Sequence, residues 1–127
     1  VVPSLKKPVG VLATATQLVI ADQDARQIVT FPLPVPPARS HAEPKVLASI
    51  PSADLLAAGP DGSFFTGRRD GVVRQIDAGG EVHEIVSGFH QVRGIAFDPK
   101  KHRLFFVDHE GAAGGGGGSS TLIIRTL

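Results

Sequence analysis

A plan of turn, short apolar strand and terminal acid recurs three times along this chain, and each copy is too short to fold alone. The third copy is the clearest: Asp98-Pro99-Lys100-Lys101-His102-Arg103-Leu104-Phe105-Phe106-Val107-Asp108. Gly59-Pro60-Asp61-Gly62-Ser63-Phe64-Phe65-Thr66-Gly67 repeats it, with Gly67 in the place of the acid, and Thr16-Gln17-Leu18-Val19-Ile20-Ala21-Asp22 is a weaker copy. Self-similarity at a period of roughly 20–50 residues marks stacked units that share a core, because no single unit buries its apolar face. Gly10, Leu55 and Gly94 hold equivalent places before an apolar strand, 45 residues apart and then 39. Upstream, Val46-Leu47-Ala48-Ser49-Ile50 matches Ile85-Val86-Ser87-Gly88, and also the opening Val1-Val2-Pro3-Ser4-Leu5 at the same interval of 45.

Each unit divides into four short strands, which in unit two fall at about 54–59, 63–68, 72–77 and 81–87. Pro60-Asp61-Gly62 and Ala78-Gly79-Gly80 supply the fixed and the positive φ that tight reversals need. Glu81-Val82-His83-Glu84-Ile85-Val86 alternates as a half-buried strand does, and Val72-Val73-Arg74-Gln75-Ile76-Asp77 does so in part. Ile95-Ala96-Phe97 and Leu104-Phe105-Phe106-Val107 are continuous apolar runs, as strands covered on both faces require. No window carries a helical period. The chain is therefore expected to be all-β. Units of about 40–45 residues with four antiparallel strands are β-propeller blades. The expected organisation is one domain over 1–127: blades at about 6–50, 51–88 and 89–127, with strand 1–5 completing a neighbouring blade.

Leu104-Phe105-Phe106-Val107-Asp108 resembles the Tyr-Trp-Thr-Asp strand of the low-density-lipoprotein-receptor propellers. Arg93-Gly94-Ile95-Ala96-Phe97-Asp98-Pro99 resembles the strands of NHL and SMP-30/gluconolactonase-like propellers. Those families are mostly six-bladed, so the resemblance implies that three blades are half of a ring. The chain opens with a strand like the fourth of a blade and closes on Thr121-Leu122-Ile123-Ile124-Arg125, a third strand. The expectation is a homodimer, two copies joined head to tail into a six-bladed ring, each N-terminal strand completing the partner's last blade. The alternative is a piece of a longer propeller protein, which the absence of an initial Met also fits.

Composition excludes several classes. Hydrophobic content of 42% is too high for a disordered chain, and no apolar run approaches the roughly 20 residues of a membrane-spanning helix. Thirteen basic against twelve acidic residues give no argument for a nucleic-acid or membrane partner. With no Cys there are no disulfides and no thiolate metal sites. No signal peptide is visible at the start, and a secreted or periplasmic location is implied by the family resemblance alone. Pro32-Leu33-Pro34-Val35-Pro36-Pro37 reads as a stiff loop between strands three and four of unit one. The run Gly114–Gly118, within 111–120, reads as an inserted flexible loop.

In propellers, the loops joining strands two and three emerge on the same face as those joining one blade to the next, and ligands bind there in the resembling families. That face collects Asp22, Gln23, Asp24 and Arg26 from unit one, Arg68, Arg69 and Asp70 from unit two, and Asp108, His109 and Glu110 from unit three, with His90 and Arg93 from a connection. Arg68 and Arg69 could clamp a carboxylate or phosphate through bidentate guanidinium bonds. His90, Arg93 and His109 are further ligand-binding candidates. Asp108 and Glu110 are the candidate ligands for a divalent cation such as calcium, the one cofactor for which there is an argument. Asp108 also matches the acid that bonds within the fold in the Tyr-Trp-Thr-Asp strand. The SMP-30-like lactonases hold their ion with Glu, Asn and Asp, and this chain has no Asn. No serine stands in a Gly-x-Ser-x-Gly elbow. The favoured function is a non-enzymatic binding or scaffold module whose charged mouth takes a small anion or a partner's loop, because that ion pattern is absent; the alternative is a metal-dependent lactonase or hydrolase.

Overall fold

The computed structural model describes residues 5–33, 44–51, 53–111 and 118–127. Their secondary structure is three antiparallel sheets in chain order and no α-helix. The first sheet is the meander β1 (Pro8–Ala13), β2 (Gln17–Asp22), β3 (Gln27–Pro32) and β4 (Lys45–Ser49). The second is β5 (Leu55–Ala58), β6 (Phe64–Gly67), β7 (Val73–Ile76) and β8 (Val82–Val86). The third has β9 (Val92–Asp98) and the long hairpin of β10 (Arg103–Gly111) and β11 (Gly118–Thr126). The strands of unit two lie within a residue of their expected limits, since the turn chemistry between them is explicit. Between β5 and β6, Asp61 and Gly62 take φ of 53° and 75°, and the Ser63 amide closes the turn on the Pro60 carbonyl at 2.9 Å.

The sheets stack as propeller-like blades. First strands of neighbouring blades touch, β1 against β5 and β5 against β9. Each blade then has a leading face toward the preceding blade and a trailing face toward the next. Across the first joint, Val19, Ala21 and Ile28 of blade one meet Phe64 and Ile76 of blade two. Across the second, Ala57, Phe65 and Val73 of blade two meet Val92, Leu104 and Phe106 of blade three. Adjacent Phe64 and Phe65 thus serve opposite joints, which is why β6 is apolar at successive positions. Burying each of the two contributes roughly 1.5–3 kcal/mol.

Face membership corrects the repeat alignment by one residue. The sequence match pairs Phe64-Phe65 with Phe105-Phe106. However, Phe64 and Leu104 lie on leading faces, and Phe65 and Phe105 on trailing ones. A one-residue slip moves every side chain to the other face, so the faces decide the register. Arg68, not Gly67, therefore stands where blades one and three carry Asp22 and Asp108. Gly67 has a separate reason: Val92 packs over it, and a Cβ there would overlap the valine side chain. Gly94 is a glycine for another reason again. A Cβ would meet only Val107, at 3.8 Å, and what requires glycine is the φ of 66° at the bulge in β9.

The expected strand over residues 1–5, most of the proline run and most of the glycine run lie outside the described residues. Leu5, which is described, packs on Ile20, Val29 and Phe31 at the leading face of blade one.

Candidate functional site

The β2–β3 and β6–β7 turns leave their blades at the same end as the connections from β4 to β5 and β8 to β9. This common rim carries a cavity of about 600 Å3 lined by Gln23, Asp24, Arg26, Arg68, Arg69 and Asp70. The sequence placed all six on one face, and the fold brings them to one wall. Three guanidinium groups there meet two carboxylates. One of the carboxylates, Asp70, is shared: its Oδ2 lies 3.1 Å from Arg68 Nη1 and 3.1 Å from Arg74 Nη1. Arg26 and Arg69 have no ion pair among the described residues.

Arg68 is the best-held member. Its side chain is 12% exposed, and its Nε is buried with no hydrogen-bond partner among the described residues. Burial lowers its pKa, Asp70 opposes that, and the charges of Arg74 and Arg26 push the same way as burial. An arginine stays protonated through such a shift, so the result is a desolvated cation facing other cations. Arg26 sits in its turn at φ 59°, a conformation uncommon for a residue with a side chain. Its carbonyl accepts the Ile50 amide at 3.0 Å, which ties the turn to the end of the blade. The sequence reading missed Arg74, whose link to Asp70 depends on the turn between β6 and β7 and leaves no mark in the sequence.

Asp22 and Asp108 face away from this cavity and serve the backbone. Asp22, 2% exposed, accepts the Lys6 amide at 2.8 Å and the Lys7 amide at 2.7 Å. Asp108 Oδ1 accepts the His90 and Gln91 amides at 2.8 and 3.2 Å, and Oδ2 lies 3.1 Å from His90 Nδ1. Each acid pins the segment entering its blade to that blade's second strand. For Asp22, burial would raise the pKa, but the Lys7, Lys6 and Ala25 amides and the Lys6 charge hold it below the ordinary value. For Asp108, burial is likewise outweighed, first by the His90 side chain and then by the His90 and Gln91 amides.

His90 bridges two carboxylates. Its Nε2 is 3.9 Å from Glu110 Oε1. The Asp108 hydrogen bond and then the Glu110 charge raise its pKa. His109 stands apart, because β10 continues to Gly111 in regular pairing with β11 and alternation sends His109 to the face opposite Asp108 and Glu110. Its Nδ1 lies 2.9 Å from Ser120 Oγ. Arg93 donates to Gln91 Oε1 at 3.1 Å. The expected set thus divides into the Arg68–Arg69 cavity and the His90–Asp108–Glu110 group, with His109 and Arg93 elsewhere on the same blade.

A further acid–imidazole group, Asp77, Glu81 and His83, has ligand atoms within 4.8 Å of one another. It lies on the β7–β8 hairpin, at the opposite end of the blade from the arginine cavity. The sequence reading gave His83 no role. Asp77 Oδ1 accepts the Gly79 and Glu81 amides, both at 2.9 Å, so it first serves to close that turn.

No protein-family model and no curated protein sequence matches the chain. Solved structures do. Regucalcin from Agrobacterium tumefaciens, described as a calcium-binding protein, superposes with a TM-score of 0.65 at 16% identity, over 80% of this chain and 37% of that one. A chain of the nidogen–laminin complex gives 0.66 at 18% identity, over 82% of this chain and 40% of that one. The chain therefore has a propeller-like fold and spans less than half the length of either structure.

Proposed function

We propose that these blades are half of a six-bladed ring that carries a small-molecule site, with metal-assisted hydrolysis of an anionic or lactone substrate as its chemistry. The observation that carries this reading is the placement, on one rim, of a positively charged cavity and an imidazole–carboxylate pair. Regucalcin, described as a calcium-binding protein, supports a metal site on such a fold, and the chain of the nidogen–laminin complex supports a binding role to the same degree. Asp108 has both oxygens committed within the fold, so of that imidazole–carboxylate group Glu110 and the Nε2 of His90 are the atoms left to a metal ion. One carboxylate and one imidazole suit an ion that takes nitrogen as well as oxygen, such as zinc or manganese, better than calcium, which takes 6–8 oxygens. The chain has no Asn to supply amide oxygen. In a closed ring the remaining ligands would come from the other half. Such an ion polarises a carbonyl and lowers the pKa of its water. Arg26, Arg68 and Arg69 would hold the substrate's carboxylate or phosphate through charge-assisted bonds.

A second reading, a non-enzymatic anion-binding module, is favoured by the commitment of Asp108 and by the arginine excess in the cavity. One calorimetric series separates the two. Manganese and calcium are titrated into the protein with and without inorganic phosphate, and aldonolactone hydrolysis is followed by acid release. Under the first reading manganese binds and turnover requires it, and Glu110→Gln weakens metal binding on the order of tenfold and lowers turnover in step. Under the second, phosphate binds without metal, Arg69→Ala weakens it on the order of tenfold, and Glu110→Gln changes nothing.

A further inference from the structure

The two turns that form the arginine cavity are tied down by their own backbone. In the β2–β3 turn the Arg26 amide donates to the Gln23 carbonyl at 3.1 Å, and the Gln23 amide donates to the Lys7 carbonyl at 2.9 Å. In the β6–β7 turn the Val72 amide donates to Asp70 Oδ1 at 3.2 Å. The Arg68 carbonyl there accepts the Gly71 amide at 3.3 Å and the Val92 amide at 2.9 Å. One turn belongs to blade one and the other to blade two, so their side chains are set against each other before a ligand enters.

Positive charge on this wall is incompletely answered. Asp70 is shared by Arg68 and Arg74, and Arg74 also reaches Glu84 at 3.8 Å. Arg26 and Arg69 keep no ion pair among the described residues, and the buried Nε of Arg68 has no hydrogen-bond partner there. An entering anion therefore meets guanidiniums from two directions. A carboxylate has two oxygens in one plane, which a single guanidinium fork satisfies. A phosphate monoester has three terminal oxygens and a charge of about −1.5 to −2 at neutral pH, so it can engage all three arginines.

The walls also select the rest of the ligand. A cavity of about 600 Å3 is far larger than a phosphate group, and no apolar or aromatic side chain lines it. Nothing there would receive an acyl chain or stack on a base. Gln23 and Asp24 offer instead an amide and a carboxylate, the partners that hydroxyl groups take.

We propose that the cavity binds a phosphate monoester of a sugar or polyol, its phosphate on Arg26, Arg68 and Arg69 and its hydroxyls on Gln23 and Asp24. This rests on the anion-binding part of the function proposed above, narrows its choice between carboxylate and phosphate, and is independent of the metal.

Calorimetric titration of the chain tests it, with glucose 6-phosphate, phenyl phosphate, malonate and sulfate as probes. Glucose 6-phosphate binds about tenfold more tightly than malonate, which carries its two charges on carboxylates, and than phenyl phosphate, whose body is apolar. Its affinity rises about tenfold from about pH 5 to about 7.5, as the ester loses its second proton near pH 6. The affinity of sulfate, a dianion throughout, stays level, since no histidine lines the cavity. Arg26→Gln and Arg69→Gln each weaken the ester about tenfold and keep the β-sheet circular dichroism. Lys100→Gln, which removes the same charge from the β9–β10 turn at the other end of the stack, leaves the affinity unchanged. Malonate as tight as the ester overturns the phosphate assignment, and phenyl phosphate as tight overturns the polyol one, while the anion site itself stands. Binding of none of the four probes removes the anion site and with it the reading beneath this proposal.

Discussion

Asp22 and Asp108 each hold two consecutive backbone amides at the entrance to a blade, in the manner of a clasp. An amide side chain in place of Asp22 keeps the shape but turns one acceptor into a donor facing a donor. Asp22→Asn is therefore expected to destabilise the fold by about 1–3 kcal/mol, measured by denaturant melts at neutral pH. The pH dependence has a definite sign. The folded pKa of Asp22 is lowered, so its contribution is complete above the unfolded value of about 4 and is lost as pH falls through the folded one. The stability gap between the unsubstituted protein and Asp22→Asn should shrink on acidification below about pH 4. A gap that stays constant from acid to neutral pH would show that the carboxylate charge is not what the site uses. The acid itself was legible in the sequence, as a residue ending an apolar strand. Its partners were not, because backbone amides carry no sequence signature. The place of Arg68 was misjudged because two adjacent phenylalanines in different registers look alike until their faces are known.

Strands were the most legible elements, since β-branched and aromatic runs between Gly- and Pro-bearing turns leave little choice. β10 and β11 ran longer than expected. The sequence reading stopped at Asp108, whereas Ser119 and Ser120 continue the ladder opposite Glu110 and His109. Serines carry no strong strand preference, and only their partners reveal the pairing. The joint between blades two and three gives the sharpest test at this scale. Gly67→Ala places a methyl group against Val92 and is expected to cost about 1–3 kcal/mol through overpacking. In a Val92→Ala background the same change should cost clearly less, because the obstructing methyls are gone. Equal costs in both backgrounds, read from a double-mutant cycle, would place the strain elsewhere.

Over the whole molecule, the repeat period gave the number of blades and the rim on which charge collects. It left the cavity's composition incomplete. Arg26, seen on that rim but not chosen as a binding residue, joins Arg68 and Arg69 only because stacking brings two turns from successive blades together. If the other half of the ring is a separate chain, binding that requires the folded state raises the apparent stability by mass action, and the melting temperature should climb by roughly a few degrees across a hundredfold rise in protein concentration. A concentration-independent melt would show that these blades stand without such a partner.

The two internal joints are fitted differently, one by Gly10 under the Asp54 carbonyl and the other by Gly67 under Val92. Units that look interchangeable in sequence are therefore not spare parts. Duplicating blade two in tandem would set Ala53, which precedes Leu55 by two residues as Val92 precedes Gly94, against Gly67 and leave the space that Val92 fills, and deleting it would bring Val92 down on Ala21. Such a chain should therefore accept substitution within a blade more readily than gain, loss or exchange of whole blades. Its repeats have become ordered parts of one object.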